Sequence, residues 1–213
     1  MSSHEEKCSP NGMLETDIST IVAVDKGTLR RRLIAARADM PADDRAAAGR
    51  LIRDHVLSLP QVAAAGTIAA YYSVGTEPAT RSLVYALWKR GSYVVLPIMA
   101  PDGDLDWASY EGPDSLVPGP RGLLQPAEPP RGVGTVSRAD VVLAPAVAVD
   151  RSGNRLGRGA GSYDRALARV GEQVPVIAVL YDTELLEAVP VEPHDRAVSA
   201  IVRPGHGVTW LKE

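Results

Sequence analysis

Residues 140–165 read Asp-Val-Val-Leu-Ala-Pro-Ala-Val-Ala-Val-Asp-Arg-Ser-Gly-Asn-Arg-Leu-Gly-Arg-Gly-Ala-Gly-Ser-Tyr-Asp-Arg, an apolar run followed by alternating glycine and arginine. The run over 140–149 predicts one strand buried on both faces, which is typical of a parallel sheet. The segment that follows, residues 150–165, is called the glycine–arginine loop here and leads into a helix near Tyr163. Because ligands bind beyond the carboxyl ends of the strands in open α/β sheets, we expect this loop to border a binding site.

The composition of the glycine–arginine loop favours phosphate binding. Its glycines are Gly153, Gly157, Gly159 and Gly161. Glycine allows close approach of backbone N–H groups to an anion, and Arg155 and Arg158 add bidentate cationic donors. Asp164 would repel phosphates unless it held Mg²⁺, which takes carboxylate and phosphate oxygens together. The loop matches neither the P-loop nor the dinucleotide fingerprint, and glycine content alone is also compatible with a flexible connection.

Composition narrows the function to small-molecule chemistry in a reducing compartment. The 213 residues carry 23 basic and 26 acidic side chains, a formal charge of −3, which argues against nucleic-acid or anionic-membrane partners. A lone cysteine cannot form an internal disulfide, and no segment has the roughly 18 apolar residues of a membrane span. We therefore expect a cytoplasmic protein. We also expect a monomer, although no feature of the sequence decides the oligomeric state.

Hydrophobic periodicity predicts an α/β fold. We expect residues 1–24 to form a disordered leader and residues 25–213 a single domain. The predicted helices cover 26–37, 43–58 and 79–90, and the predicted strands cover 66–72, 92–98, 105–110, 140–149 and 174–181. Residues 100–139, rich in proline and glycine, predict a long surface excursion around the 105–110 strand. The economical fold is one three-layer domain with a mainly parallel central sheet flanked by helices.

Two other segments carry candidate site residues. Lys26, Arg30 and Arg37 are four and seven positions apart, so at about 100° per residue they share one face of the first helix. From spacing alone, a solvated basic face is the simpler interpretation. Glu77 follows the 66–72 strand in a loop at the expected ligand edge, although most surface glutamates are merely solvated.

The glycine–arginine loop resembles the signature of one enzyme family. Residues 153–165 fit Gly-x-Arg-Leu-Gly-x-Gly-x-Gly-x-Tyr-Asp-Arg, after Pro-x-x-Ala-x-Asp at 145–150. This pattern is similar to that of 5-formyltetrahydrofolate cyclo-ligase, also called 5,10-methenyltetrahydrofolate synthetase, and the resemblance covers roughly residues 26–203. It implies an enzyme that uses ATP and Mg²⁺ to convert 5-formyltetrahydrofolate into 5,10-methenyltetrahydrofolate, releasing ADP and phosphate after the formyl oxygen is phosphorylated and N10 closes the ring.

The resemblance also implies the site residues. Those implied to contact ATP are Lys26, Gly27, Thr28, Leu29 and Arg30 in the first helix and Arg155, Leu156, Gly157, Arg158, Gly159, Ala160, Gly161, Ser162 and Tyr163 in the loop. Those implied to be catalytic are Arg158, Tyr163 and Asp164; to bind folate, Tyr72 and Glu77; and to bind Mg²⁺, Asp164 and Asp195. Arg37 matches a further arginine of the family, whereas His194 is interpreted as an ordinary loop histidine.

Several positions depart from the family pattern. Ser162 replaces a tyrosine, Gln125 a glutamate and Ser199 an aspartate. The departures leave two alternatives open: a diverged nucleotide- or folate-binding homologue without turnover, or another ATP-dependent enzyme on the same scaffold. The chain has no phenylalanine, so an aromatic wall for a pterin must come from tyrosine or tryptophan. The candidates are Tyr72, Trp107, Tyr110 and Tyr163.

Overall fold

A seven-stranded sheet forms the centre of the fold in the computed structural model, which describes residues 25–211. The helices are α1 (Lys26–Asp39), α2 (Ala42–Leu57), α3 (Pro60–Ala64), α4 (Arg81–Lys89) and α5 (Ser162–Leu167). The strands are β1 (Thr67–Ala69), β2 (Tyr93–Met99), β3 (Leu105–Ser109), β4 (Leu116–Pro118), β5 (Leu124–Pro126), β6 (Val141–Pro145), β7 (Ala148–Asp150), β8 (Arg155–Leu156), β9 (Val176–Val179), β10 (Leu185–Leu186), β11 (Ala200–Arg203) and β12 (Gly207–Trp210). The leader predicted over residues 1–24 lies outside the described residues.

The central sheet has the strand order β12-β11-β9-β6-β1-β2-β3. Its five inner strands are mutually parallel, and β12 and β3 pair antiparallel at the two edges. The predicted mainly parallel sheet is confirmed. None of the helices within residues 25–211 combines the length and apolar character needed to cross a membrane.

Alternate residues of the inner strands face opposite sides of the sheet and so create two buried layers. Ile68 and Leu143 pack on the side covered by α2 and α4, where α4 turns Leu83 and Leu87 inward. The neighbouring strand residues face the other way, toward α5 and the 3₁₀ helix Val133–Arg138. Each fully buried leucine or isoleucine contributes about 1.5–3 kcal/mol to the free energy of folding relative to an exposed one. Helices are therefore needed on both faces of the sheet to bury these side chains. This is the predicted three-layer arrangement.

The run 140–149 forms two strands, so its prediction as one strand is wrong. β6 ends at Pro145, and β7 belongs to a separate three-stranded sheet with the order β10-β7-β8. Proline has no N–H to continue a ladder, and the chain turns at Ala146 and Val147. Both turn residues are buried, which is why the hydrophobic pattern continues through the break. The glycine–arginine loop therefore starts from the small sheet and includes β8.

Residues 100–139 contain more structure than the predicted surface excursion. β3 completes one edge of the central sheet by pairing with β2. β4 and β5 form an antiparallel hairpin, and β5 starts beside the site described below. The prediction of strand 105–110 is confirmed to within one residue, but the remaining turns and 3₁₀ helices leave too little periodicity to be found from the sequence.

Candidate active site

Two cavities share residues of the glycine–arginine loop. The first, called the apolar cleft, has a volume of about 290 Å³ and lies at the carboxyl ends of β2 and β6, with Met99 and Pro145 in its wall. The second, called the charged cleft, has a volume of about 250 Å³. Residues lining both are Arg155, Gly157, Gly159, Gly161 and Asp164. Ligands in the two clefts would therefore meet at this loop, at the sheet edge where ligands of α/β proteins bind.

The amino end of α1 forms one wall of the charged cleft. The Asp25 carboxylate accepts hydrogen bonds from the N–H groups of Gly27 and Thr28, so the helix begins at Lys26. Lys26 Nζ lies 2.6 Å from Asp195 Oδ2. Arg30, one turn later, donates from Nε to the Gly157 carbonyl at 2.7 Å. The two basic residues of α1 that were predicted to contact ATP therefore line the charged cleft, whereas their neighbours Gly27, Thr28 and Leu29 do not.

Asp195 is held by the same ion pair. Burial favours its protonated form, but the hydrogen bond and charge of Lys26, together with the hydrogen bond from the Glu192 N–H, lower the pKa of Asp195. Burial also disfavours the charged form of Lys26, but its ammonium donates to the carboxylates of Asp195 and Glu192, and the net effect is a raised pKa for Lys26. Both groups are thus ionised near neutral pH.

Asp164 reaches the charged cleft from α5 and is oriented by Arg155. Arg155 NH2 donates to Asp164 Oδ1 at 2.7 Å, and NH1 donates to the Pro145 carbonyl at 3.3 Å. The Arg155 side chain is only 2% exposed, and its Nε has no hydrogen-bond partner among the described residues. Arg155 therefore joins the end of β6 to Asp164, in addition to lining both clefts.

The glycines let guanidinium groups pack against the loop backbone. A Cβ at Gly157 would lie 2.7 Å from Arg155 NH1, and one at Gly159 would lie 3.2 Å from the guanidinium carbon of Arg30. Side chains at these positions would push the cations away. The glycines thus allow two guanidinium groups to lie against the loop backbone, and cationic donors of this kind can bind phosphate.

An ion pair links the two walls of the apolar cleft. Arg158 NH1, in the loop, lies 3.4 Å from Glu77 Oε1, and Glu77 Oε2 accepts the Val74 N–H at 3.0 Å. The Glu77 side chain is 9% exposed and that of Arg158 is 49% exposed. The carboxylate is therefore fixed in the wall, while the arginine reaches it across the opening.

The aromatic wall of the apolar cleft consists of tyrosines. Tyr72 and Tyr163 line it as expected, but Trp107 and Tyr110 lie in the core, and their assignment to the wall is wrong. Tyr71 was not among the predicted residues; it lines the cleft because the strand alternation of β1 ends before it. The Tyr163 hydroxyl is buried without a hydrogen-bond partner in the described part of the chain, and burial raises its pKa. Tyr163 is therefore a neutral O–H donor.

Arg37 is buried rather than solvated, so the predicted basic face ends at Arg30. Its Nε and NH2 donate to the two oxygens of Glu184 at 2.6 and 2.8 Å, and NH2 also donates to the Ala146 carbonyl. Arg37 lines the apolar cleft, but no sequence signal identified Glu184 as its partner. Burial raises the pKa of Glu184 although Arg37 acts in the opposite direction.

The positions that depart from the family pattern fall in different places. Gln125 lines the apolar cleft. The Ser162 hydroxyl donates to the Gly103 carbonyl at 2.6 Å and thus anchors the start of α5 to the β2–β3 turn. Ser199 bonds to the backbone of Val176 and lines neither cleft. Ser162 also lines the apolar cleft, so Gln125 and Ser162 are the two departures placed to affect which substrate binds.

One group of possible metal ligands occurs within residues 25–211. Side-chain atoms of Glu192, His194 and Asp195 lie within 4.8 Å of one another at the rim of the charged cleft. His194 Nε2 is 3.4 Å from Glu192 Oε2 and is largely exposed, so the interpretation of His194 as a loop histidine stays a prediction.

Comparison with known proteins identifies the family. The model of the 5-formyltetrahydrofolate cyclo-ligase family matches residues 22–204. The chain belongs to this family. A 5-formyltetrahydrofolate cyclo-ligase of Mycolicibacterium smegmatis is 38% identical over 192 residues, covering 88% of this chain and 97% of the relative. That of Escherichia coli K12 is 33% identical over 165 residues, covering 76% and 91%.

Solved structures of the cyclo-ligase family have the same fold. The NMR structure of Aquifex aeolicus 5,10-methenyltetrahydrofolate synthetase superposes with a TM-score of 0.77 at 25% identity, covering 88% of this chain and 93% of that one. The synthetase of Mycoplasma pneumoniae gives a TM-score of 0.67 at 21% identity, covering 84% and 98%. The resemblance read from residues 153–165 is therefore confirmed, and the chain is a ligase of this family.

Proposed function

We propose that the protein converts 5-formyltetrahydrofolate into 5,10-methenyltetrahydrofolate with ATP and Mg²⁺, releasing ADP and phosphate. The observation that carries the proposal is that the apolar and charged clefts share the glycine–arginine loop. A folate in the first cleft and a triphosphate in the second would meet there. This is the geometry that phosphoryl transfer between two bound molecules needs.

The apolar cleft suits the pterin of a folate. Tyr72 and Tyr163 offer aromatic surface, and the fixed Glu77 carboxylate can accept paired N–H donors from an aminopyrimidinone ring. For that contact to form, Arg158 must leave Glu77, and its exposed guanidinium would then be available to phosphate oxygens in the neighbouring cleft.

The charged cleft suits a triphosphate with Mg²⁺. Lys26 and Arg30 supply positive charge and line the cleft together with Gly157, Gly159 and Gly161 of the loop. The carboxylates of Asp164 and Asp195 line the same cleft, where they pair with Arg155 and Lys26 respectively. Carboxylate oxygens are the ligands that this hard cation prefers, so these two residues would hold it. When bound, Mg²⁺ would neutralise negative charge on the triphosphate.

The reaction needs alignment more than covalent help from the protein. The formyl oxygen attacks the γ-phosphorus, forming an O–P bond as the bond to ADP breaks; N10 then attacks the activated carbon, loses its proton, and phosphate leaves with the former formyl oxygen. Holding the two reactants in line can supply roughly 7–11 kcal/mol of the barrier. We assign charge neutralisation to Arg158, a neutral hydrogen bond to the transferring oxygen to Tyr163, and Mg²⁺ binding to Asp164. That the enzyme acts as a cytoplasmic monomer stays a prediction.

The proposal is tested by mixing the purified protein with 5-formyltetrahydrofolate, ATP and Mg²⁺ and following the near-ultraviolet absorbance of the methenyl product. We expect a rise that requires all three additions, with matched controls lacking ATP or metal. Nucleotide binding by the folded protein without any rise would refute turnover and favour a diverged homologue.

The position of Gln125 favours a second candidate function, that of a different ATP-dependent enzyme. It lies in the wall of the apolar cleft, where the family pattern has a glutamate, so the acceptor bound there can differ. ATP consumption with another formamide or carboxylate, but not with 5-formyltetrahydrofolate, would support a different ATP-dependent enzyme on this scaffold.

A further inference from the structure

The Arg37–Glu184 ion pair lies at the apolar cleft, which Arg37 lines. Both side chains are 3% exposed, and the guanidinium makes a two-nitrogen contact with the carboxylate. A buried ion pair of this kind gains little net stability over an apolar pair of the same size. Its position in the molecule therefore needs another reason.

The pair joins three walls of the site. Arg37 belongs to α1, and its NH2 also donates to the carbonyl of Ala146, which lines the apolar cleft. Glu184 follows β9 and accepts the Tyr181 N–H at 2.8 Å. The Tyr181 hydroxyl donates to the carbonyl of Thr76 at 3.3 Å. One connected set of polar contacts thus runs from α1 to the residue before Glu77.

The same helix carries the cations of the charged cleft. Lys26 and Arg37 are eleven positions apart, which is about 16 Å along a helix. A tilt of about 5° at the Arg37 end would displace Lys26 by roughly 1.4 Å over that length. Misplacement of about 1 Å is enough to lower a rate on the order of a hundredfold when reactants must be aligned.

We propose that Arg37, through Glu184, is a positioning residue that fixes α1 and its phosphate-facing end against the wall of the apolar cleft. This inference rests on the proposed function. It assigns Arg37 no contact with the reacting atoms: its effect is on the distance and angle between the two bound substrates. Loss of the two-nitrogen contact should therefore lower kcat while leaving each substrate's own binding contacts in place.

The test compares Arg37→Lys with a matched exposed pair. Lysine keeps the positive charge of Arg37 but cannot make the planar contact. The control is Arg151→Lys, because Arg151 contacts both oxygens of Glu187 through Nε but is 69% exposed and lines neither cleft. Steady-state kcat and KM for both substrates are measured at a temperature where circular dichroism shows every variant to be folded.

We expect Arg37→Lys to lower kcat tenfold to a hundredfold with either KM changed by less than threefold, and Arg151→Lys to match the wild type. A kcat for Arg37→Lys within twofold of the wild type, whatever its melting temperature, would overturn the inference and leave the proposed function intact. An equal loss in Arg151→Lys would also overturn it. Absence of turnover in the wild type would overturn both.

A second variant covers the case in which Arg37→Lys does not fold. Glu184→Gln keeps the size of the side chain, an acceptor for the Tyr181 N–H and one contact to Arg37. We expect a smaller fall in kcat, on the order of threefold to tenfold, again without a matching rise in KM. Unchanged kcat in folded Glu184→Gln would contradict a positioning role for the pair.

Discussion

Replacing Gly153 by alanine should destabilise the base of the glycine–arginine loop much more than replacing another glycine of similar backbone conformation. Gly153 has φ of +83°, and its carbonyl accepts the Val198 N–H at 2.8 Å. A Cβ at this position would run into the Val198 carbonyl oxygen, a backbone atom that cannot turn aside. Gly91, after α4, has φ of +90° but faces open space. Comparing the two variants therefore separates the free-energy cost of backbone strain from that of the steric conflict.

The expected magnitudes follow from that difference. A positive φ costs an alanine about 1–2 kcal/mol, and Gly91→Ala should lose only this amount of unfolding free energy. Gly153→Ala bears the same strain, and overpacking at a rigid contact typically adds about 1–3 kcal/mol. We therefore expect a loss of about 2–5 kcal/mol for Gly153→Ala.

Urea denaturation of the two variants, followed by circular dichroism, measures both free energies of unfolding. Equal denaturant slopes are required, so that a change in midpoint reports stability. If Gly153→Ala were no less stable than Gly91→Ala, the packing of the loop against Val198 would be refuted, and with it the argument that this contact fixes the start of the loop.

Three further predictions concern the site. Asp164→Asn should lower turnover by about a hundredfold, the usual effect of losing one preorganised charge in a site; a near-normal rate in the absorbance assay would refute the metal role of Asp164. Glu77→Gln should weaken folate binding more than ATP binding in calorimetric titrations, and equal weakening would contradict the assignment. Arg37→Met should destabilise the fold by about 3–5 kcal/mol by leaving Glu184 buried without its partner, and Arg37→Met/Glu184→Leu should recover most of this. Burial raises the pKa of Glu184 above its value in the unfolded chain, so as pH falls the folded form of Arg37→Met binds a proton at Glu184 before the unfolded form does. The difference in denaturation midpoint between Arg37→Met and the wild type should therefore shrink between pH 7 and pH 5. A difference that did not change with pH would contradict this.

Much of the fold is encoded locally and could be predicted. α1, α2 and α4 lie within two residues of the expected ranges. α2 and α4 bury apolar residues at helical spacing, and α1 packs the partly buried Leu29, Leu33 and Ile34 against the small sheet. The strand break at Pro145 could not be predicted, since Ala146 and Val147 are as buried as the strands on either side. Hydrophobicity reports burial, and here burial does not distinguish a turn from a strand.

The same limit applies to the site. Residues of the glycine–arginine loop are contiguous in sequence, so their clustering was expected. The partner of Arg37 was not, because Glu184 lies 147 positions away and has no distinguishing neighbours. Spacing on a helix shows which side chains share a face, but only the fold decides whether that face meets solvent or protein. For the same reason Trp107, expected in the aromatic wall, lies in the core, and Tyr71, which was not predicted, lines the cleft.

The contacts of α1 also set an order for assembly during synthesis. The helix that opens the described structure finds its partners at Gly157, Glu184 and Asp195, which are 127, 147 and 169 positions from the residues they hold. At about 5–20 residues per second, a ribosome needs roughly 8–34 s to reach the last of them after making Lys26. Throughout that interval the surface against which Leu29, Leu33 and Ile34 of α1 finally pack is incomplete, so these side chains are accessible to chaperones. The first helix of the described residues is thus among the last to be placed, and the proposed site is complete only once Asp195 has been made.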